Sequence, residues 1–235
     1  MVSEWFGSHA GRSMGLNTRE PAWIFLEDSL EYAHLYIEIR DLIDKSLGIN
    51  IGFPYIENAK EIKPGDLSDD VRTKLVDVYL LDLLMLNIDR SLHNYNLLST
   101  NVNKILITDF DSSLIFTGML KGVNPLSDKR VLECLRSNPF YQFIESDKLL
   151  SFLAKMNQVD FHSIISEVPD VVLNHSDKTL ILNKMEDKKK RDWDLLEILE
   201  KIDEIKLESE EEKNLRIKKN RKKLEDLVAM QKLKK

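Results

Sequence analysis

Between Asn87 and Phe116 the chain reads NIDRSLHNYNLLSTNVNKILITDFDSSLIF, a cluster of small polar side chains directly behind an apolar run. Asp89 is followed five residues later by Asn94 and twenty residues later by Asp109. Phosphoryl transfer asks for such a set. A carboxylate accepts or orients the hydroxyl of the attacking substrate, and oxygen ligands hold magnesium against the phosphates. Catalysis is mostly alignment and charge neutralisation, so all of these groups must be held rigidly. An aspartate, an asparagine at the fifth position on and a second aspartate after a hairpin follow the kinase pattern D-x-x-x-x-N plus a metal aspartate.

The elements that must position these groups are a helix, a loop and a hairpin. LVDVYLLDLLML (Leu75–Leu86) is an apolar helix ending at the loop, with Ser68 as the cap of the helical segment. Its twelve residues, two of them Asp77 and Asp82, are too few and too charged to span a bilayer, so it reads as a buried core helix. NLL and KILITDF are two short strands joined by the polar turn STNVN. Before this core, Val2–Met14 reads as a short helix with Ser3 as cap and Gly15 as stop, and Pro21–Glu27 reads as a strand. A helix from Ser29 to a stop at Gly48 follows, then a loop region over IGFPYIENAKEIKPGDLSDD. After the core, Lys129–Leu135, Asp147–Met156 and Phe161–Val168 have helical spacing, and the glycines of FTGMLKG read as turns. From Lys184 the chain is strongly charged, with an approximate helical stripe of Leu195, Leu196, Leu199, Ile202, Ile205 and Leu207.

Composition narrows the classes. At 235 residues and 43% hydrophobic content, the chain can bury a sizeable core. A net charge of −6 gives no global attraction to nucleic acid or to an anionic membrane. The basic cluster IKKNRKK faces ESEEE nearby and reads as a salt-bridged, solvated helix, so a nucleic-acid partner is not expected. Cys134 is the one cysteine, which excludes an intramolecular disulfide framework and suits a reducing cytosol. The N-terminus lacks the apolar stretch of a signal peptide.

NIDRSLHNYNLL and TDFDSSLIF resemble the catalytic core of the HipA-like kinases, particularly the short, divergent HipA-like kinase domain. That pattern is roughly N-x-D-R-x-x-x-N-x-N-L-L followed by I-D-H-G. The resemblance implies Asp89 as catalytic base, Asn94 as a magnesium ligand and Asp109 as the principal metal ligand, with ATP and Mg2+ as cofactors. Asn87, Arg90 and Asn96 occupy motif positions with supporting roles, Arg90 as a brace for the loop. Asp111 stands where the family has glycine, either as a second metal ligand or as an exposed carboxylate. SEWFGSHAGRSMGLNTREPAWIFLED is similar to the family's N-lobe helix, turn and strand, which places Glu4 at the glutamate that pairs with an ATP-binding lysine. FHSIISEVPDVVL resembles its C-terminal helix pattern.

The implied architecture is α/β (α+β) and mostly helical. It has a kinase-like C-lobe (29–183), an incomplete N-lobe and hinge (1–28) and a long charged helical tail (184–235). No G-x-G-x-x-G and no V-A-I-K-like strand occurs, so the expectation is an N-terminally truncated or split kinase, its N-lobe completed by a small partner chain. The implied activity is phosphoryl transfer to a protein Ser/Thr hydroxyl by a cytoplasmic bacterial kinase of the toxin–antitoxin kind. The alternative is a catalytically inactive homologue that binds a partner. Phosphatidylinositol kinases share a related motif, but no membrane-binding surface is evident. A D-x-D site of nucleotide-sugar transferases would leave Asn87–Asn96 unused. Asp82 is expected to bond to nearby backbone, His93 to pack in or stand outside the loop, and Trp5 and Trp23 to join the core.

Overall fold

The computed structural model describes residues 1–27, 36–91, 93–100 and 104–205. The architecture is mixed α and β, about 54% helical, with a two-stranded and a three-stranded sheet, which agrees with the expected class at that level.

Helix α1 (Val2–Ser13) buries Trp5, Phe6 and Ala10, and the chain turns off it at Gly15, whose φ of +84° favours glycine. Met1, not Ser3, is the N-cap; Ser3 lies inside the helix and donates its hydroxyl to the Ser113 carbonyl at 3.3 Å. Gly7 lets α1 lie directly on the segment after Asp109, because a Cβ there would stand 2.4 Å from Phe110 Cγ.

Strand β1 (Ala22–Leu26), α2 (Ile37–Lys45) and β2 (Gly48–Gly52) follow, with β1 and β2 antiparallel from Ala22↔Gly52 to Leu26↔Gly48. Strand β1 matches expectation, whereas β2 replaces the expected helix stop and loop. Ile49-Asn50-Ile51 alternates like a strand, but flanking glycines hide so short a signal until β1 supplies the ladder. The expected cap Ser29 lies outside the described residues. Strand β3 (Lys60–Glu61), also within the expected loop, adds to the second sheet.

Ser68 caps as expected, its Oγ accepting from the Val71 N–H at 3.4 Å. The helix it starts, α3 (Asp69–Lys74), breaks at Leu75, and α4 (Val76–Met85) carries the apolar run. Every residue of α4 except Asp77 is buried, and α1, α7 (Ser146–Met156) and α10 (Leu195–Asp203) pack around it. Strands β4 (Leu97–Ser99) and β5 (Ile105–Ile107) form the expected hairpin, in register Leu97↔Ile107, and β3 extends it to the order β3-β4-β5. Residues 101–103 of its turn lie outside the described residues.

Of the two glycines read as turns in FTGMLKG, Gly118 lies inside α5 (Ile115–Lys121), whereas Gly122, at φ +65°, is the turn that ends it. Helices α6 (Lys129–Arg136), α7 and α8 (Phe161–Ser166) stand where the spacing puts them. Helix α9 (His175–Lys189) has no clear apolar stripe in the sequence, because it buries only Ile181 and Met185. It is started by Asn174, whose side chain accepts from the Asp177 N–H, and the expected 183/184 boundary falls within it. The left-handed run Asp192, Trp193, Asp194 turns the chain into α10. Trp193, Leu195, Ile198 and Ile202 then join the main core, so the charged segment begins as core. Leu196 of the expected stripe points outward, and Leu207 with the rest of residues 206–235 lies outside the described residues. Among the described residues no helix is long and apolar enough to cross a membrane.

Candidate functional site

The loop after α4 is held from beneath by a buried ion pair. Asp82 and Arg90 are both fully buried, with Arg90 Nε donating to Asp82 Oδ2 at 2.7 Å. The other carboxylate oxygen accepts from Asn87 Nδ2 at 2.9 Å, and Asn138 Nδ2 donates to Oδ2 at 3.1 Å. Burial pushes the Asp82 carboxyl up, and the Arg90 charge with the three donated bonds opposes that push. Asp82 therefore binds three side chains, not the nearby backbone expected for its side chain. An apolar helix surface offers its carboxylate no solvent, so donors from the following loop and from Asn138 must satisfy it.

Arg90 spends its remaining donors on backbone. Nη1 donates to the carbonyls of Tyr95 (2.5 Å) and Asn96 (3.0 Å), and Nη2 to that of Thr108 (3.3 Å). One guanidinium thus ties the end of α4 to the residues that enter β4 and the residue that leaves β5. Asn87 adds a bond from Nδ2 to the Asp109 carbonyl at 3.2 Å. The backbone is left-handed at Leu86, Asn96 and Asp109, with φ of 55°, 48° and 66°. Each such residue costs on the order of 1–3 kcal/mol unless its surroundings enforce it, and the Asp82–Arg90–Asn87 bonds are that enforcement.

On this base Asp89, Asn94 and Asn96 come together. Asp89 Oδ2 accepts from Asn94 Nδ2 at 2.8 Å and from Asn96 Nδ2 at 3.1 Å, and all three are half-buried. An amide that donates through nitrogen keeps its oxygen as the atom able to hold a cation. His93 is exposed, and its backbone N–H donates to Ser91 Oγ at 3.3 Å.

Asp109 stands on the wall of a cleft. A cavity of about 430 Å3 is lined there by Met1, Glu4, Arg19, Ile51, Thr108, Asp109 and Asp111, within the size range of small-molecule sites. Asp109 Oδ1 accepts from the Asp111 N–H at 3.3 Å, and exposed Asp111 accepts from the Met1 ammonium at 2.8 Å. Glu4 Oε2 accepts from the Phe110 N–H at 2.5 Å. Burial raises the Glu4 pKa above the ordinary carboxylate value; the Phe110 bond lowers it, and the charges of Asp109 and Asp111 raise it again. A separate cavity of about 380 Å3, floored by Leu84, Ile115 and Met119, contains none of these residues.

Aspartate and asparagine oxygens are the donor type a hard divalent cation takes. Among the described residues no three His, Cys, Asp or Glu side chains are grouped to hold a metal ion, so a cation at Asp109 would depend on amide and ligand oxygens as well. Three functional candidates were not legible as such in the sequence. Asp82 and Asn138 meet across 56 residues, and Arg19 reaches the cleft from beyond α1. The one available hint was a carboxylate inside an otherwise apolar helix, which demands a buried partner. No family model, curated protein or solved structure matches this chain.

Proposed function

We propose that the chain is a HipA-like kinase, an ATP- and magnesium-dependent phosphotransferase acting on a protein Ser/Thr hydroxyl. The observation that carries this reading is the way Asp89 is held. Two amides from the same loop fix one of its oxygens, while Arg90 and Asp82 immobilise the backbone beneath. A carboxylate so oriented suits the acceptance of a hydroxyl proton. Asn94 and Asp109 are the side chains that would hold magnesium, whose role is to neutralise phosphate charge. Glu4 anchors Phe110 and with it the backbone that presents Asp109.

A second reading, a partner-binding homologue without catalysis, is favoured by the exposed apolar side chains Phe25, Ile37 and Leu42. Calorimetric titration of ATP with magnesium, beside Asp109→Asn, separates the two. Magnesium-dependent binding that the variant loses is expected. Absence of binding to both chains would sink the kinase reading for this chain and favour the binding module.

A further inference from the structure

We infer that Arg19 is the cation that grips the polyphosphate in the Asp109 cleft, an assignment that rests on the phosphotransferase reading. The groups lining this cleft include the carboxyl groups of Glu4, Asp109 and Asp111 and two cations, the Arg19 guanidinium and the Met1 ammonium, of which the ammonium is already paired with Asp111 at 2.8 Å. Carboxylates alone repel a polyphosphate. A guanidinium in the same cleft supplies the planar cationic donor that an anion needs beside a carboxylate-held cation.

The backbone sets Arg19 there. Thr18 bridges Ile107 in parallel, the Ile107 N–H donates to the Asn17 carbonyl at 2.8 Å, and Thr18 Oγ1 donates to the Ser8 carbonyl at 2.6 Å. Residue 19 therefore leaves a pinned point beside the residue preceding Thr108 and Asp109. The side chain is also fixed in advance. Its guanidinium carbon lies 4.4 Å from the centre of the Phe53 ring, and Nη2 donates to the Pro54 carbonyl at 3.3 Å. Binding then costs little further side-chain ordering.

The guanidinium still has donors to give. Among the described residues its guanidinium forms no salt bridge and engages only the Pro54 carbonyl and the Phe53 ring, and Nε has no hydrogen-bond partner. Glu4 influences Arg19 only at a distance, its Oε2 being taken by the Phe110 N–H. Partial burial strips water from the guanidinium, which strengthens its pull on an anion. Planar paired donors match the oxygens of a phosphate, which a single ammonium does not.

The test is calorimetry with Mg·ATP, adenosine and inorganic tripolyphosphate on the wild type, Arg19→Gln, Arg19→Lys, Phe53→Leu and Asp109→Asn. Thermal melts verify that each variant is folded. Arg19→Gln is expected to weaken Mg·ATP by about tenfold or more and to leave adenosine unchanged, with Arg19→Lys intermediate. Phe53→Leu keeps the charge but removes the ring that places it, and gives a smaller loss. Should Arg19→Gln and Arg19→Lys bind Mg·ATP like the wild type while Asp109→Asn does not, the Arg19 assignment falls and the kinase reading stands. Arg19-dependent binding of tripolyphosphate without any binding of ATP overturns the kinase reading and keeps Arg19 as an anion grip. A wild type that binds neither overturns both.

Discussion

The loop between α4 and the β4–β5 hairpin and the β1–α2–β2 segment, which gives Ile51 to the cleft, are built on opposite principles. Beneath the loop, Asp82 of α4 and Arg90 have no exposed side-chain surface, and each is satisfied by several partners. In the other segment α2 buries no residue, and Phe25, Ile37 and Leu42 are each more than 60% exposed. A two-stranded sheet is marginal alone; this one is fastened to the rest by Trp23 stacking on Trp5 at 4.9 Å. The difference teaches that the geometry around Asp89 is self-supporting. The part of the cleft with Ile51 and the Arg19–Phe53 contact carries much less internal support. Damage to the first should appear as lost stability, and changes in the second as altered binding.

The largest effect expected is that of Arg90→Met, which leaves Asp82 charged and unpaired in the core. Chemical denaturation should register a loss of about 3–5 kcal/mol. The exposed pair Arg12–Glu20, at 3.3 Å, supplies the contrast, since Arg12→Met should cost under about 1 kcal/mol. Similar losses for the two variants would break the comparison. Next comes Asn138→Ala, outside the motif but bonded to the same carboxylate, with an expected cost of about 1.5–3 kcal/mol in the same assay.

Glu4→Gln sharpens the picture through pH. The folded state holds the Glu4 proton more tightly than the unfolded chain, so ionising it weakens the fold as pH rises from about 4.5 through its raised pKa. Glutamine still accepts the Phe110 N–H but cannot ionise. Melting curves at a series of pH values should therefore show a shallower fall for the variant, with the gain at neutral pH and none near pH 4. Equal slopes for both proteins would remove the role assigned to burial and to the Asp109 and Asp111 charges. The smallest effect belongs to Leu42→Ser on α2, expected within about 0.5 kcal/mol. A loss above about 2 kcal/mol would mean that this face is covered in solution, and the contrast between the two regions would fail.

Local pattern made a good part of this molecule legible. The Ser68 cap, the apolar α4 run, the hairpin and three later helices stand close to where spacing puts them. The positions of Asp89, Asn94 and Asn96 were readable for the same reason, since the three lie within eight residues of one loop and bond directly to one another. Segments whose identity depends on a remote partner were missed. Strand β2 needs β1, and α9 shows little stripe of its own.

By itself, the sequence determined the local elements and the order of the polar groups along the loop, because caps, turns and hydrophobic periods act over a few residues. Only the tertiary structure decided that Asp82 is the hub beneath the loop, that Asn138 completes it and that Arg19 and Asp109 line one cleft. The physical reason is that the state of a charged side chain depends on its surroundings. Whether such a group is solvated or buried, paired or unpaired, is settled by chain segments that packing brings together from far apart in the sequence.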